Sequence, residues 1–146
     1  MVEMPNKTKL LVKEKLAGLR DGKRPRVLDL FGGCGGISLG CQLAGAEIVG
    51  AVEIDPHAIR THALNFHAGL DQGQLEVHAK PRDITRVDPR ELISEIAPEQ
   101  EPGRAVDIIV GGPPCQAFAR VGRAKLREIM QHPEAFLKDP RASLYN

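Results

Sequence analysis

The chain has 146 residues, enough for one domain with its own core, and a net charge of +1, which excludes a global basic field for nucleic acid. Aromatic residues make up only 3% and tryptophan is absent, which argues against rows of base-stacking rings. The three cysteines, Cys34, Cys41 and Cys115, are odd in number with no Cys-x-x-Cys pair, so neither a disulfide framework nor a zinc site is expected, and no metal is expected elsewhere.

In chain order, residues 1–24 scatter Lys7, Lys9, Lys13, Lys15, Arg20, Lys23 and Arg24 among Leu10, Leu11, Leu16 and Leu19. That spacing predicts a basic amphipathic lead-in helix ending at Asp21-Gly22 and covering one edge of a sheet. It has no long apolar core, so it is not a signal peptide, and no apolar run reaches the ~18 residues that span a membrane. Unpaired thiols without a leader imply a cytoplasmic protein. From Pro25 on, strands and helices alternate. Strands are predicted at 26–31, 47–53, 75–78 and 106–110, the last as a buried strand. Helices are predicted at 35–44, 56–66 and 88–96, with 100–104 a polar loop. This alternation predicts an α/β fold with a mostly parallel sheet and right-handed crossovers.

The first strand runs into Asp29-Leu30-Phe31-Gly32-Gly33-Cys34-Gly35-Gly36. Glycines after a first strand let a ligand approach the backbone, and the following helix start supplies free amides. Glu53 ends the second strand 20 residues beyond Gly33, a spacing at which a carboxylate can accept both ribose hydroxyls. The pair points to an adenosine-containing cofactor. A dinucleotide fingerprint would want a third glycine where Ser38 stands, which counts against NAD. Gly36-Ile37-Ser38-Leu39-Gly40 imitates a hydrolase nucleophile elbow, but Ser38 is predicted inside a helix rather than on the turn after a strand. Asp83-Ile84 offers a carboxylate for an adenine amino group and an aliphatic flank for the ring, although such an Asp is more often a cap or turn residue. His57, His62 and His67 recur every five residues, which is not a one-face metal spacing, and are expected at the surface or its boundary; His78 and His132 are isolated.

The most specific stretch is Pro113-Pro114-Cys115-Gln116, directly after an apolar run and Gly111-Gly112. Prolines orient the chain and remove amide donors, so Cys115 is expected on a rigid loop at the sheet edge where open α/β folds bind ligands. Arg120, Arg123, Lys125 and Arg127 then crowd around Gly122 as a basic loop.

Together these residues resemble the cytosine-5 DNA methyltransferase family, from Arg26 onward. Asp29 to Gly36 is similar to the family's first cofactor motif, Asp-Leu-Phe-x-Gly-x-Gly-Gly. Pro114-Cys115-Gln116 resembles its catalytic motif, and Asp139-Pro140-Arg141 with Leu144 the start of its next block. The resemblance implies a Rossmann-like S-adenosylmethionine-dependent fold, with residues 25–146 the N-terminal part of a catalytic domain. It implies S-adenosyl-L-methionine held by Phe31, Gly33, Cys34, Gly35, Gly36, Glu53, Ile54, Asp83, Ile84 and Pro114. It also implies double-stranded DNA as partner, a flipped cytosine attacked at C6 by Cys115, and DNA contacts from Gln116, Arg120, Arg123 and Lys125. Gly32 stands where the family usually has Ala, a change expected to be tolerable; Ala119 replaces a Ser, and Ile54 an aromatic of some members. The family's Glu-Asn-Val block, its Gln-x-Arg-x-Arg block and the recognition domain find no counterpart in these 146 residues. The expectation is a fragment or half of a split enzyme, inactive alone and completed by a second chain, with restriction–modification as the family's usual setting. The competing readings are a transfer-RNA cytosine-5 methyltransferase, a non-catalytic S-adenosylmethionine-binding subunit and an NAD-linked oxidoreductase.

Overall fold

A computed structural model of the chain describes residues 5–114 and residue 128. The chain divides into two compact units, Met1–Gly111 and Gly112–Asn146, and the described elements belong to the first.

Three parallel strands, β1 (Arg26–Leu30), β2 (Glu47–Val52) and β3 (Ile108–Gly111), pair in the order β2-β1-β3. Alternation along β1 sends successive side chains to opposite faces. Val27 packs with Ala46, Ile48, Cys41, Phe66 and Val110 on one face. Leu28 packs with Val49, Val52, Leu92, Ile93, Ile96 and Ala105 on the other. The first face is covered by α2 (Gly36–Leu43) and α3 (Pro56–His67), the second by α5 (Pro89–Ile96) and the single turn α6 (Pro102–Ala105). Helix starts follow the sequence signals. Asp55 and Asp88 cap α3 and α5 through their carboxylates, each followed by proline in the first turn.

The lead-in helix α1 (Asn6–Arg20) forms as expected but buries no residue. Charge pairing holds it instead. Lys15 Nζ lies 3.3 Å from Asp107 Oδ1 and also donates to the Val106 carbonyl, and Glu14 Oε2 lies 2.6 Å from Arg104 Nη2.

The expected third strand at 75–78 is instead helix α4, Gln72–His78. The Asp71 carboxylate accepts from Gln74 N at 3.0 Å and starts a helix there. A short apolar run cannot itself distinguish strand from helix. α4 touches both α3 and α5, and the chain meets β2 again where Arg82 N donates to the Glu53 carbonyl at 2.8 Å. The predicted polar loop at 100–104 contains α6, for which Pro102 presets the first turn. The last strand begins two residues late and is not buried. Ile109 is 65% exposed, and β3 lies at the edge of the described strands.

The histidines are the larger correction. His62, His67 and His78 are buried rather than peripheral or isolated; only His57 of the first three is exposed. Ile59, His62, Ala63 and His67 make the inward face of α3, a helical stripe that the five-residue count hid. His67 and His78 stack at 3.7 Å between ring centroids. Burial pushes His62 and His78 down to about 4 and His67 down to about 3, with His78 adding to the effect on the other two and Arg82 acting on His78.

These depressed values set an acid limit. Unfolded imidazoles titrate near 6.5 while the folded ones stay neutral to about 4. Between those values the unfolded chain binds more protons, so stability falls as pH falls. Urea unfolding from pH 8 to pH 4 is expected to lose stability below pH 6.5, by up to about 1.4 kcal/mol per pH unit for each imidazole. His78→Phe is expected to flatten that slope by about one proton.

Candidate functional site

The carboxyl ends of β1 and β2 meet in a strained turn. Phe31 adopts φ 63°, a left-handed conformation that a bulky side chain rarely takes. It is held there because Phe31 N and Gly32 N both donate to the Val52 carbonyl, at 2.8 and 3.2 Å. Such strain costs on the order of 1–3 kcal/mol and clusters at functional sites. Gly33 (φ 53°) and Gly35 (φ 102°) continue the left-handed path. A Cβ at Gly35 would lie 2.2 Å from Phe66 Cε2, whereas one at Gly33 would meet nothing within 4 Å. The loop is thus packed underneath at Gly35 and open above at Gly33. Gly35 is also the N-cap of α2, with no side chain capping the helix. At Gly32 a Cβ would sit 2.8 Å from the Ala51 Cβ, so an alanine there would require a shift that glycine avoids.

Glu53 knits this edge together. Its Oε2 accepts from Gly33 N at 3.0 Å, and its Oε1 accepts from Ile54 N at 2.8 Å and Asp55 N at 3.0 Å. Ile54 beside it is 64% exposed. The Arg82–Glu53 backbone bond brings Asp83 to the same edge. Asp83 Oδ1 accepts from Thr85 N and Thr85 Oγ1, at 3.0 and 2.7 Å, and these bonds hold its carboxyl below the usual carboxylate range. It therefore closes a turn in this structure. Ile84 is half-buried against the α5 face of the core. Cys34 is an exposed free thiol.

Beneath the loop lies a network the sequence did not announce. Asp29, Ser38 and His62 are 0%, 0% and 1% exposed. Ser38 Oγ lies 2.7 Å from Asp29 Oδ2 and 2.9 Å from His62 Nε2. Burial raises the Asp29 carboxyl, and the Ser38 hydroxyl and amide pull it back. With Asp29 ionised, Ser38 donates to Asp29 and its oxygen accepts from His62 Nε2–H, which sets the imidazole tautomer. Although Ser, His and Asp are all present, this is no hydrolase site. Ser38 is inside α2 as expected, fully buried, and Asp29 contacts the serine rather than the imidazole.

Of the other residues singled out, Pro114 is half-buried and belongs to the second unit. Cys115, Gln116, Arg120, Arg123 and Lys125 lie outside the described residues. A separate cavity of about 500 Å³ between α1 and the opposite ends of β1 and β2 is lined by Glu14, Lys15, Arg26, Arg104 and Asp107, which pair among themselves.

The family model for C-5 cytosine-specific DNA methylase matches residues 25–137. The chain is 38% identical over 125 residues to M.OihORF3336P of Oceanobacillus iheyensis, covering 86% of this chain and 25% of that protein. It is 35% identical over 120 residues to the type II methyltransferase M1.HphI of Haemophilus parahaemolyticus, covering 81% and 26%. It is 38% identical over 99 residues to the type II methyltransferase M.HgiGI of Herpetosiphon aurantiacus, covering 67% and 65%. The chain thus spans about a quarter of the length of the first two relatives. No solved structure matches the chain.

The packing under the loop ranks two substitutions. Gly35→Ala is expected to cost about 2 kcal/mol or more, from left-handed strain plus overpacking against Phe66. Gly33→Ala, strained but unobstructed, is expected to cost about 1–2 kcal/mol. Thermal unfolding of the two variants checks the order, and the difference disappears if the Phe66 contact is unimportant.

Proposed function

Because the chain belongs to the C-5 cytosine-specific DNA methylase family, we propose that it carries the S-adenosyl-L-methionine site and the nucleophile of a DNA cytosine-5 methyltransferase. The observation that carries this reading is the Glu53 carboxylate bonded at 3.0 Å to Gly33 of a left-handed glycine loop, at the carboxyl edge of a parallel sheet. A ribose diol is the ligand group suited to a carboxylate in that place. The chemistry of the edge fits the whole group. The loop backbone is open at Gly33 and Gly36 for an amino-acid moiety, and exposed Ile54 and half-buried Ile84 offer aliphatic surface for a purine. NAD is less well suited, since the third fingerprint position is Ser38, whose hydroxyl joins α2 to β1.

When bound, S-adenosyl-L-methionine supplies an electrophilic methyl group on a sulfonium. In this reading Glu53 binds the ribose hydroxyls and Asp83 accepts from the adenine amino group. Phe31, Ile54 and Ile84 would line the pocket, and Gly33, Cys34, Gly35 and Gly36 would contribute backbone. The Cys115 thiolate adds to C6 of a flipped cytosine, which makes C5 nucleophilic enough to take the methyl. Loss of the C5 proton then expels the thiolate by elimination and restores the ring. Gln116, Arg120, Arg123 and Lys125 would contact the DNA. The family's own description as a C-5 cytosine-specific DNA methylase supports DNA, rather than transfer RNA, as substrate. The functions the family assigns to its Glu-Asn-Val block and recognition domain would come from further protein outside these 146 residues, in this polypeptide or a second chain.

Calorimetric titration of the chain with S-adenosyl-L-methionine and, separately, NAD tests the cofactor. Preferential binding of the former is expected, and Glu53→Ala should weaken it about ten- to a hundredfold, the worth of a charged hydrogen bond. Equal or preferred NAD binding would overturn the reading. In the complete enzyme, Cys115→Ser is expected to abolish covalent trapping on 5-fluorocytosine DNA; trapping that persists removes Cys115 from its role.

A further inference from the structure

We propose that one face of α3, formed by His62, Asn65 and Phe66, is a clamp that sets the conformation of the glycine loop and thereby the cofactor affinity, with Asn65 a positioning residue acting through the Cys34 carbonyl. The affinity half rests on the cofactor reading above; the clamp rests on geometry alone.

Residues 62, 65 and 66 are spaced i, i+3, i+4, so they share one face of a helix. Each touches a different part of the loop region. His62 Nε2 reaches Ser38 Oγ, and its Cδ2 lies 3.4 and 3.2 Å from the positions a Cβ would take at Gly32 and Gly35. The imidazole is therefore the floor beneath both glycines. Phe66 closes the space under Gly35 and packs on His62 with ring centroids 4.6 Å apart. Asn65 Nδ2 donates to the Cys34 carbonyl at 3.1 Å, on the exposed side of the loop. The helix carrying these groups is itself fixed at its start, where Asp55 Oδ1 accepts from His57 N and Ala58 N at 2.9 and 2.8 Å.

The loop needs such support. Its conformation contains one strained non-glycine residue and two left-handed glycines, and persists only if its surroundings over-determine it. The Glu53 carboxylate ties Gly33 from the β2 side. The α3 face ties Cys34, Gly35 and Ser38 from the other. A ligand that binds only the ordered loop has its apparent affinity reduced by the fraction of loops that are disordered. Loss of a clamp contact should therefore appear as weaker binding without damage to the core.

Asn65 is the informative position because it is exposed, so its substitution spares the core that His62 and Phe66 share. Asn65→Ala removes the donor, Asn65→Asp replaces it with a near-isosteric acceptor, and Asn65→Gln retains an amide. Two readouts are made on the 146-residue chain: amide hydrogen exchange without cofactor, and titration with S-adenosyl-L-methionine. Asn65→Ala and Asn65→Asp are expected to accelerate exchange at Gly33–Ser38 about five- to tenfold and to weaken binding measurably, by up to that factor, with β1 and β2 unchanged and partial rescue by Asn65→Gln. Unchanged loop exchange, or acceleration spread evenly over the chain, overturns the clamp. A loosened loop with unchanged affinity also overturns the proposal. If the unsubstituted chain binds no S-adenosyl-L-methionine, the cofactor reading fails and takes the affinity half with it, while the exchange data still decide the clamp.

Discussion

The hydrogen bond between Ser38 and Asp29, 2.7 Å long and fully buried, is the constraint on which the rest of the first unit depends. A carboxylate withdrawn from water must be hydrogen-bonded or it destabilises the fold by several kcal/mol. Asp29 lies on β1, the middle strand, and its partner Ser38 lies on α2, so the bond that serves the buried Oδ2 fixes the helix on the sheet. Ser38 in turn engages His62, which brings in α3. Three elements are thereby joined at one oxygen, directly under the turn where the chain leaves β1. The strained Phe31 and the left-handed glycines lie in the short connection between these two fixed points.

The two ends of the sheet solve different problems with different chemistry. At the carboxyl end, carboxylates face backbone amides: Glu53 takes three and Asp55 two. At the amino end, carboxylates face cations. Burial pushes the Asp107 carboxyl up, but the Arg26 amide and the Lys15 ammonium outweigh it and hold the acid below its usual range. The amino end uses its charges to dock α1, which has no buried apolar residue to do so. The carboxyl end satisfies its amides with side-chain carboxylates and leaves its apolar surface, Ile54, exposed. That asymmetry is what a ligand edge requires, and it needs no cavity of its own among the packed helices.

The elements with strong local signals were legible in the sequence: the glycine loop, the helices from residues 56 and 88, and the strands at 26 and 47. So was the placement of Ser38 inside a helix, which disposed of the hydrolase motif. What the sequence hid was settled by tertiary context. Leu75–His78 carries no periodicity long enough to distinguish strand from helix, and the Asp71 cap decided the matter. His62, His67 and His78 look polar in isolation. Their burial shows only when α3 is read at helical spacing with Ile59 and Ala63, and the stacking of His78 on His67 is a long-range fact that local pattern cannot supply. Asn65 carried no signal at all, since an exposed asparagine on a helix is unremarkable until its amide is found on the Cys34 carbonyl.

The Glu53 carboxylate sets a further condition on any ribose that binds there. A carboxylate offers about four acceptor sites. Amides of Gly33, Ile54 and Asp55 occupy three of them in the structure. Two ribose hydroxyls need two, so one amide must yield. Ile54 and Asp55 are the immediate chain neighbours of Glu53 and form a local turn that costs little to keep. Gly33 is the long-range partner, and its bond is the one whose exchange changes the loop. Of the two ribose bonds, one then takes the free acceptor site and is new, while the other replaces the Gly33 bond and is worth much less. While Gly33 is released, the start of the loop stays on the Val52 carbonyl, and its further part is held by the Asn65 amide on Cys34 and the rings beneath Gly35. The preorganisation that makes the site usable therefore resides less in the carboxylate that touches the ligand than in the helix face that does not.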